Sequence, residues 1–200
     1  MNGFEANEVV TAHEWRDSVE RTSDTEMRVT ALDHLDGIEP AMIEWWFSNM
    51  DAELYFQFHP CDHKKFAWTK GKRPGTHVGA THLTYHQYGG AEQVLRTEIT
   101  FEPLTEHFDT SFFEEHRVGM ALFAVVHLLD ENDQPASEES GRFVHVALER
   151  DYGTELRSCW WLNLTPESDL ELLGPGRLRH VHEEFGFLQG FLRSLYPDAR

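Results

Sequence analysis

The sequence predicts an α+β domain in which a curved antiparallel sheet grips one long C-terminal helix. Six or seven short segments with strand-like patterns follow one another between residues 26 and 164. A single long segment with helical spacing, residues 176–195, comes after them, between Gly and Pro breakers. An antiparallel sheet must bury one face, and this helix offers the only large apolar arc to cover it. Sheet and helix should then enclose a pocket.

Length and composition predict one domain over residues 26–200, preceded by a loosely held polar arm over residues 1–25. The 35 acidic and 17 basic side chains give a formal charge of -18, which disfavours nucleic acids and anionic membranes as partners. Two cysteines are too few for a disulfide framework, and no signal peptide or long apolar run is evident. We therefore expect a cytoplasmic protein with a small-molecule partner; a homodimer remains open.

Local patterns assign most of the remaining chain. A short helix should begin at Pro40 and end near Phe47. Alternating or continuously apolar patterns and flanking turn signals predict strands over residues 26–32, 54–59, 77–88, 94–101, 118–129, 142–150 and 154–164. Loops or turns should occupy the HPCDH segment, the basic stretch 64–75, Gly89–Gly90, the acidic stretch 102–117, residues 130–141, residues 151–153 and the linker 166–176.

The C-terminal helix carries two polar residues within its apolar arc, His180 and Glu184. That arc comprises Leu178, Val181, Phe185, Phe187, Leu188, Phe191, Leu192 and Leu195. The opposite, solvated face comprises Arg179, His182, Glu183, Gln189 and Arg193. An imidazole and a carboxylate buried among phenylalanines need a partner. One turn apart, they can share a metal ion or simply hydrogen-bond to each other, and both interpretations stay open.

Five motifs in one order, AMIEWWF, YFQFHPCDH, GATHLTYHQYGG, HVALERDYGTELRSCWWL and HVHEEFGFLQGFL, resemble the 2,4-diacetylphloroglucinol hydrolase family, which includes phloretin hydrolase. The resemblance covers residues 40–196. It implies a helix-grip fold of the Bet v 1/START-like type with a mononuclear zinc site. It also implies hydrolysis of a carbon–carbon bond between an aromatic ring and an acyl carbonyl.

The resemblance also implies a ligand set. The family's first zinc ligand corresponds to His63, and its helical pair corresponds to His180 and Glu184. Where the family has a further glutamate ligand, this chain has His86, which binds zinc as readily and leaves the ion a stronger Lewis acid. We predict one Zn²⁺ per chain on these four residues, with iron still open. Glu98 is the fallback fourth ligand, disfavoured because strand alternation turns it toward water.

Four further positions correspond to family residues near the substrate. Tyr55 matches a family tyrosine that hydrogen-bonds the substrate, and His145 matches a family histidine near the substrate. We expect both to take part in catalysis, with a buried structural role for His145 still open. Phe66 and Trp160 stand where the family has an asparagine and a tyrosine, so this pocket should be less polar and should favour less hydroxylated acyl phenols. His82 shares a strand face with His86 and either supports the ligands or simply packs.

The resemblance implies a mechanism in which the metal polarises the acyl carbonyl and activates water, and an electron-rich ring departs as the leaving group. Tyr55 and His145 would stabilise phenolate oxygens or protonate the departing carbon. Two other classes remain open. A complete protein ligand set also fits a non-catalytic small-molecule binder with a structural metal. Two histidines and a carboxylate can also form the facial triad of a non-haem iron oxygenase.

Overall fold

The computed structural model describes residues 4–90, 93–136 and 139–197. Eight antiparallel strands form one sheet in the order β1-β2-β8-β7-β6-β5-β4-β3. The strands are β1 (Ser18–Arg21), β2 (Glu26–Asp36), β3 (His63–Lys70), β4 (Thr81–His86), β5 (Leu95–Glu102), β6 (Val118–Leu128), β7 (Gly141–Arg150) and β8 (Gly153–Asn163). The α-helices are α1 (Phe4–Thr11), α2 (Pro40–Asn49), α3 (Ala52–Phe58) and α4 (Arg177–Leu195), and a π-helical turn, Leu172–Gly176, leads into α4. Three short 3₁₀ turns lie at Tyr88–Gly90, Leu104–Glu106 and Thr110–Phe112.

The predicted helix-grip fold is confirmed, since the curved sheet wraps around α4. Four apolar residues of α4 are completely buried against the sheet and the helices α2 and α3: Val181, Phe185, Leu188 and Leu192. The buried arc is narrower than predicted, because Phe187 and Leu195 are 42% and 37% exposed. The helical spacing therefore predicted the helix correctly but overestimated the width of the face that it buries.

The strand predicted over residues 54–59 is wrong, because these residues belong to helix α3. The side chain of Asp51 accepts a hydrogen bond from the Leu54 backbone N–H (2.9 Å), which caps the helix N-terminus. Tyr55 and Phe58, three residues apart, are buried, whereas Phe56 is 40% exposed. Seven residues are too few for alternation and helical spacing to be told apart with certainty.

The basic loop predicted over residues 64–75 is also wrong in its first half, which forms β3. This strand pairs with β4 alone and so lies at an edge of the sheet. Exposed Lys64 and Lys70 give it the polar composition that resembles a loop. Lysine on an edge strand discourages pairing with another chain, so these residues suit the position.

The N-terminal arm predicted over residues 1–25 is folded in its described part. Helix α1 packs on the outer face of the sheet, where Ala6, Val9 and Val10 are buried in a second apolar cluster with residues of β6, β7 and β8. The buried Arg157 of β8 donates hydrogen bonds to the backbone carbonyls of Val9, Val10 and Ala12 at 3.2, 3.3 and 2.9 Å. The apolar positions of α1 are too few to stand out in a polar segment, which is why the sequence did not indicate a helix.

In the described part of the chain, no helix is both long and apolar enough to cross a lipid bilayer.

Candidate metal centre

A small internal cavity of about 60 Å³ lies between the sheet and α4. Histidines and a glutamate line one end of it, and aromatic rings line the rest. The lining residues are Phe47, Met50, Tyr55, Phe58, His82, His86, Ile99, Phe101, Phe143, His145, Trp160, Arg177 and Glu184.

Strand register brings His63 and His86 together. The two residues are direct partners in the antiparallel pairing of β3 with β4. Directly opposed residues point to the same face of a sheet, and these two ring centroids lie 5.2 Å apart. Both side chains are buried on the concave face that α4 covers.

Helix α4 supplies His180 and Glu184 from the opposite side. One nitrogen from each of His63, His86 and His180 lies within 4.8 Å of the others. Oε1 of Glu184 lies 2.9 Å from Nε2 of His63 and 3.2 Å from Nε2 of His180. The structure thus brings together the four residues that were predicted as ligands, although their role as ligands stays a prediction.

Hydrogen bonds to the outer ring nitrogens aim all three imidazoles at this centre. Nδ1 of His63 lies 2.8 Å from the backbone carbonyl of Tyr55, and Nδ1 of His180 lies 3.0 Å from Oδ2 of Asp62. Nδ1 of His86 is 3.4 Å from the hydroxyl of Tyr88. Metal-binding histidines usually fix their second nitrogen in this way.

The contact between His63 and Glu184 suits a cation placed between them. The backbone carbonyl of Tyr55 can only accept a hydrogen bond, so Nδ1 of His63 must carry the proton. In the neutral imidazole, Nε2 is then unprotonated. This unprotonated Nε2 lies 2.9 Å from the carboxylate of Glu184. Burial lowers the pKa of His63 despite the opposing effect of Glu184, which favours this neutral form. In addition, the buried Nε2 of His180 lies 3.2 Å from Oε1 of Glu184 but outside hydrogen-bond geometry, and it has no hydrogen-bond partner among the described residues. The donor set, three imidazoles and a carboxylate, suits Zn²⁺.

The carboxylates determine the charge of this end of the cavity. Burial alone would raise the pKa of Glu184, but His180 and His63 outweigh it and hold that pKa well below its ordinary value. The pKa of His180 is raised, because Glu184 and Asp62 outweigh the effect of burial. By contrast, burial brings the pKa of His86 well below its ordinary value.

Glu98 lies on the other face of the sheet. Its Oε1 accepts a hydrogen bond from the Thr69 hydroxyl (3.3 Å) and lies 3.7 Å from Nζ of Lys70. His82 lines the cavity beyond the cluster, with a buried Nδ1 that has no hydrogen-bond partner and a pKa lowered by burial to about 3.

Tyr55 lies within the cluster although it comes from a helix rather than the predicted strand. Its ring stacks on His63 with centroids 3.8 Å apart, and its hydroxyl hydrogen-bonds Nε2 of His86. Burial, with a smaller contribution from Glu184, raises its pKa well above the ordinary value. Tyr55 therefore keeps its proton at neutral pH.

His145 lies at the aromatic end, where its Nδ1 is 2.7 Å from the Ser158 hydroxyl. Burial lowers its pKa to about 3, so the ring is neutral. Trp160 lines the cavity 5.3 Å from His145. Phe66 is buried behind Tyr55 and His82, at ring distances of 4.8 and 5.2 Å, and does not line the cavity.

Sequence reasoning missed Asp62, His59 and Arg177. Asp62 links the cluster outward: its Oδ1 accepts from the Gly89 backbone N–H at 3.0 Å, while its Oδ2 faces His180. His59 stacks on His180 at 4.5 Å and reaches Glu183 at 2.9 Å. His59 and Asp62 both lie in the HPCDH segment, which was predicted as a turn, and a turn does not reveal which of its side chains point inward.

The fold and the cluster together define a helix-grip protein with a candidate metal centre inside the grip. Residues 16–197 match the model of the DAPG hydrolase PhiG domain. The chain therefore belongs to the DAPG hydrolase family, as the motifs predicted, and the group of histidines and acidic residues could hold a metal ion.

Solved structures of low sequence identity share the fold. A Mycobacterium smegmatis protein is 14% identical, with a TM-score of 0.52, over 88% of this chain and 95% of its own. A Staphylococcus aureus protein of unknown function is 10% identical, with a TM-score of 0.55, over 86% and 97%. The chain also aligns with Ara h 8.0201 at 12% identity, over 84% and 99%, with a TM-score of 0.49. No curated protein is significantly similar in sequence to this chain.

Proposed function

We propose that this protein is a zinc-dependent hydrolase that cleaves the carbon–carbon bond between an electron-rich aromatic ring and an acyl group. The observation that carries the proposal is the convergence of one nitrogen from each of three imidazoles with a carboxylate, in which the unprotonated Nε2 of His63 faces Glu184 at 2.9 Å. Family membership supports a hydrolase that acts on compounds of the phloroglucinol type.

His63, His86, His180 and Glu184 would hold the ion. Bound Zn²⁺ would supply Lewis acidity, which polarises an acyl carbonyl and lowers the pKa of water. Binding through Nε2 of His86 displaces that atom's hydrogen bond with Tyr55. The Tyr55 hydroxyl is then free to donate to a substrate oxygen next to the centre.

The remaining lining residues orient the ring. Trp160, Phe143 and Phe101 form an aromatic wall against which a flat substrate packs. His145 stays neutral because of its pKa of about 3, so it offers a hydrogen bond to a ring hydroxyl rather than an acidic imidazolium. An electron-rich ring is required because the departing carbon must accept the bonding electron pair and then a proton.

The cavity of about 60 Å³ is smaller than a ring requires, since a cavity that binds benzene is on the order of 150 Å³. Side chains along the aromatic wall must therefore move when a substrate enters. Trp160 in place of a tyrosine removes a hydroxyl from this wall, which favours acyl phenols with fewer ring hydroxyls.

Metal analysis combined with turnover tests the proposal. Protein purified without added metal should contain one zinc per chain and hydrolyse an acyl phenol to an arene and a carboxylic acid. Three histidines with a glutamate exceed the two-histidine, one-carboxylate set of non-haem iron oxygenases, which supports zinc. A stably folded, metal-free protein would contradict the proposal. Bound zinc without turnover of any acyl phenol would favour a binding protein with a structural metal.

A further inference from the structure

Arg177, the first residue of α4, is a cation of the cavity without an anionic partner among the described residues. It lines the cavity, and in the same part of the chain its buried Nε has no hydrogen-bond partner. Its guanidinium lies over the Tyr88 ring, 4.9 Å from the centroid. Among the described residues, no carboxylate oxygen lies within 4.0 Å of an Arg177 nitrogen. A cation that is partly withdrawn from water and left unpaired is costly, even though 35 acidic side chains were available to pair it.

The other lining residues leave this positive charge uncompensated. Glu184 is the one carboxylate among the lining residues, and it is engaged with His63 and His180. His82 and His145 are neutral, since burial lowers the pKa of each to about 3. If the cluster holds a cation, Glu184 is neutralised by that ion, and Arg177 remains the fixed charge that an incoming ligand meets.

Arg177 shares the cavity with residues at both of its ends. Tyr55 lines the cluster end of the same cavity as Arg177. Burial lowers the pKa of His145 at the aromatic end, and Arg177 opposes protonation there. A ligand between Tyr55 and His145 therefore shares the cavity with the guanidinium of Arg177.

We propose that Arg177 binds an anionic oxygen carried by the aromatic ring of the substrate. A guanidinium donates through a planar fork that fits carboxylates and other anionic oxygens. The substrate class is therefore an acyl arene with an ionised ring oxygen, either a phenolate or a ring carboxylate. This inference rests on the proposed function in one respect, namely that the substrate occupies this cavity.

Ligand pairs matched for shape test the inference on the metal-loaded full chain. The first arm compares 4-acetylbenzoate with its neutral analogue 4-acetylbenzamide. The second arm compares the ionised and neutral forms of a nitrophenol, measured above and below the pKa of that phenol. Calorimetry gives the affinities. Wild type should prefer the anion in at least one arm, and the arm that responds distinguishes carboxylate from phenolate. Arg177→Gln should weaken anion binding roughly 10- to 100-fold while neutral ligands bind as before.

Arg179→Gln is the matched control, because it removes the same charge from an exposed residue two positions along α4. It should keep the preference for anions. Arg177→Lys should restore part of the preference, and increasing salt should weaken anion binding to wild type even if Arg177→Gln fails to fold. An anion held only by the metal would keep its preference in Arg177→Gln, and that result would overturn the inference. So would equal losses for charged and neutral ligands.

Failure of the proposed function gives a different result. A preference for anions that depends on Arg177, without hydrolysis of any acyl phenol, would contradict the proposed hydrolase activity and support the anion site. Hydrolysis with the same kcat/KM for neutral and anionic substrates would support the proposed hydrolase activity and overturn the proposed role of Arg177.

Discussion

Two buried histidines, His180 in the cluster and His145 at the aromatic end of the cavity, have pKa values shifted in opposite directions. His180 in the cluster is 0% exposed and His145 at the aromatic end is 5% exposed, so burial hardly differs. Asp62 and Glu184 face His180, and its pKa is raised. His145 has the Ser158 hydroxyl as its hydrogen-bond partner, and its pKa is lowered to about 3. For these two histidines, carboxylate partners rather than depth decide whether the pKa is raised or lowered.

The largest expected effect comes from removing a ligand at the cluster end. His180→Ala and Glu184→Gln should each weaken zinc binding by more than about 100-fold, because each removes one of four converging donors. Competition with a chelator of known affinity measures this loss.

Neighbouring residues on the same helix provide the controls. His182→Ala and Glu183→Gln should leave zinc affinity nearly unchanged, since His182 pairs with Asp33 at 2.7 Å and Glu183 is exposed. Strong zinc loss in these controls, with little in the first pair, would reverse the assignment of the helix face.

The next largest effect tests whether the carboxylate behind a histidine matters. Asp62→Asn should lower zinc affinity about 10- to 100-fold, because Asp62 orients His180 through a 3.0 Å contact and makes the ring a stronger donor. Asp33→Asn makes the same change behind His182, outside the cluster, and should not affect zinc. Equal zinc affinity in wild type and Asp62→Asn would show that the partner is dispensable.

At the aromatic end, acid should destabilise the fold through His145. The unfolded imidazole takes up a proton near pH 6.5 and the folded one only near pH 3, so the unfolded state binds more protons between these values. The free energy of unfolding should therefore fall as pH falls, by about 1 kcal/mol from this group between pH 6.5 and 5.5.

Denaturant unfolding of His145→Asn across this range measures that contribution. The variant should lose less stability on acidification than wild type. Phe143→Leu, a neighbouring change that does not titrate, should lower stability without changing the pH dependence. Parallel curves for wild type and His145→Asn would contradict the shifted pKa.

The smallest expected effect concerns substrate choice. Trp160→Tyr should raise kcat/KM on polyhydroxylated acyl phenols up to about tenfold, because a buried ring hydroxyl without a partner costs about 1–3 kcal/mol. Phe66→Asn alone should do less, since Phe66 does not line the cavity, although the double variant should do at least as well as Trp160→Tyr. A panel of acyl phenols with one to three ring hydroxyls measures the change. A larger gain from Phe66→Asn than from Trp160→Tyr would contradict this arrangement of the wall.

Long elements were predictable from sequence, and short ones were not. Helix α4 spans 19 residues, enough for helical spacing and flanking breakers to agree. Helix α3 has seven residues, and an accidental alternation outweighed the cap at Asp51. Strand β3 looks like a loop because an edge strand benefits from lysine. The local pattern is informative only where it repeats over several turns or pairs of residues.

The site divides in the same way. His180 and Glu184 could be predicted together because helix geometry fixes residues one turn apart. The meeting of His63 with His86 depends on strand register, which motif resemblance implied but spacing alone could not establish. Asp62 contacts His180, which lies 118 residues away in the sequence, and Arg177 faces a cavity formed by several segments. No local sequence pattern encodes either arrangement.

The packing of helix α1 on the outer face of the sheet has a practical consequence for truncated forms of this protein. The family match begins at residue 16, which would tempt an experimenter to start an expression clone there. Such a clone would strip three carbonyl acceptors from Arg157 and uncover the apolar outer surface of β6, β7 and β8. Aggregation of that fragment would then reflect the loss of helix α1 from the outer face of the sheet. It would not bear on the chemistry of the cavity between the sheet and α4.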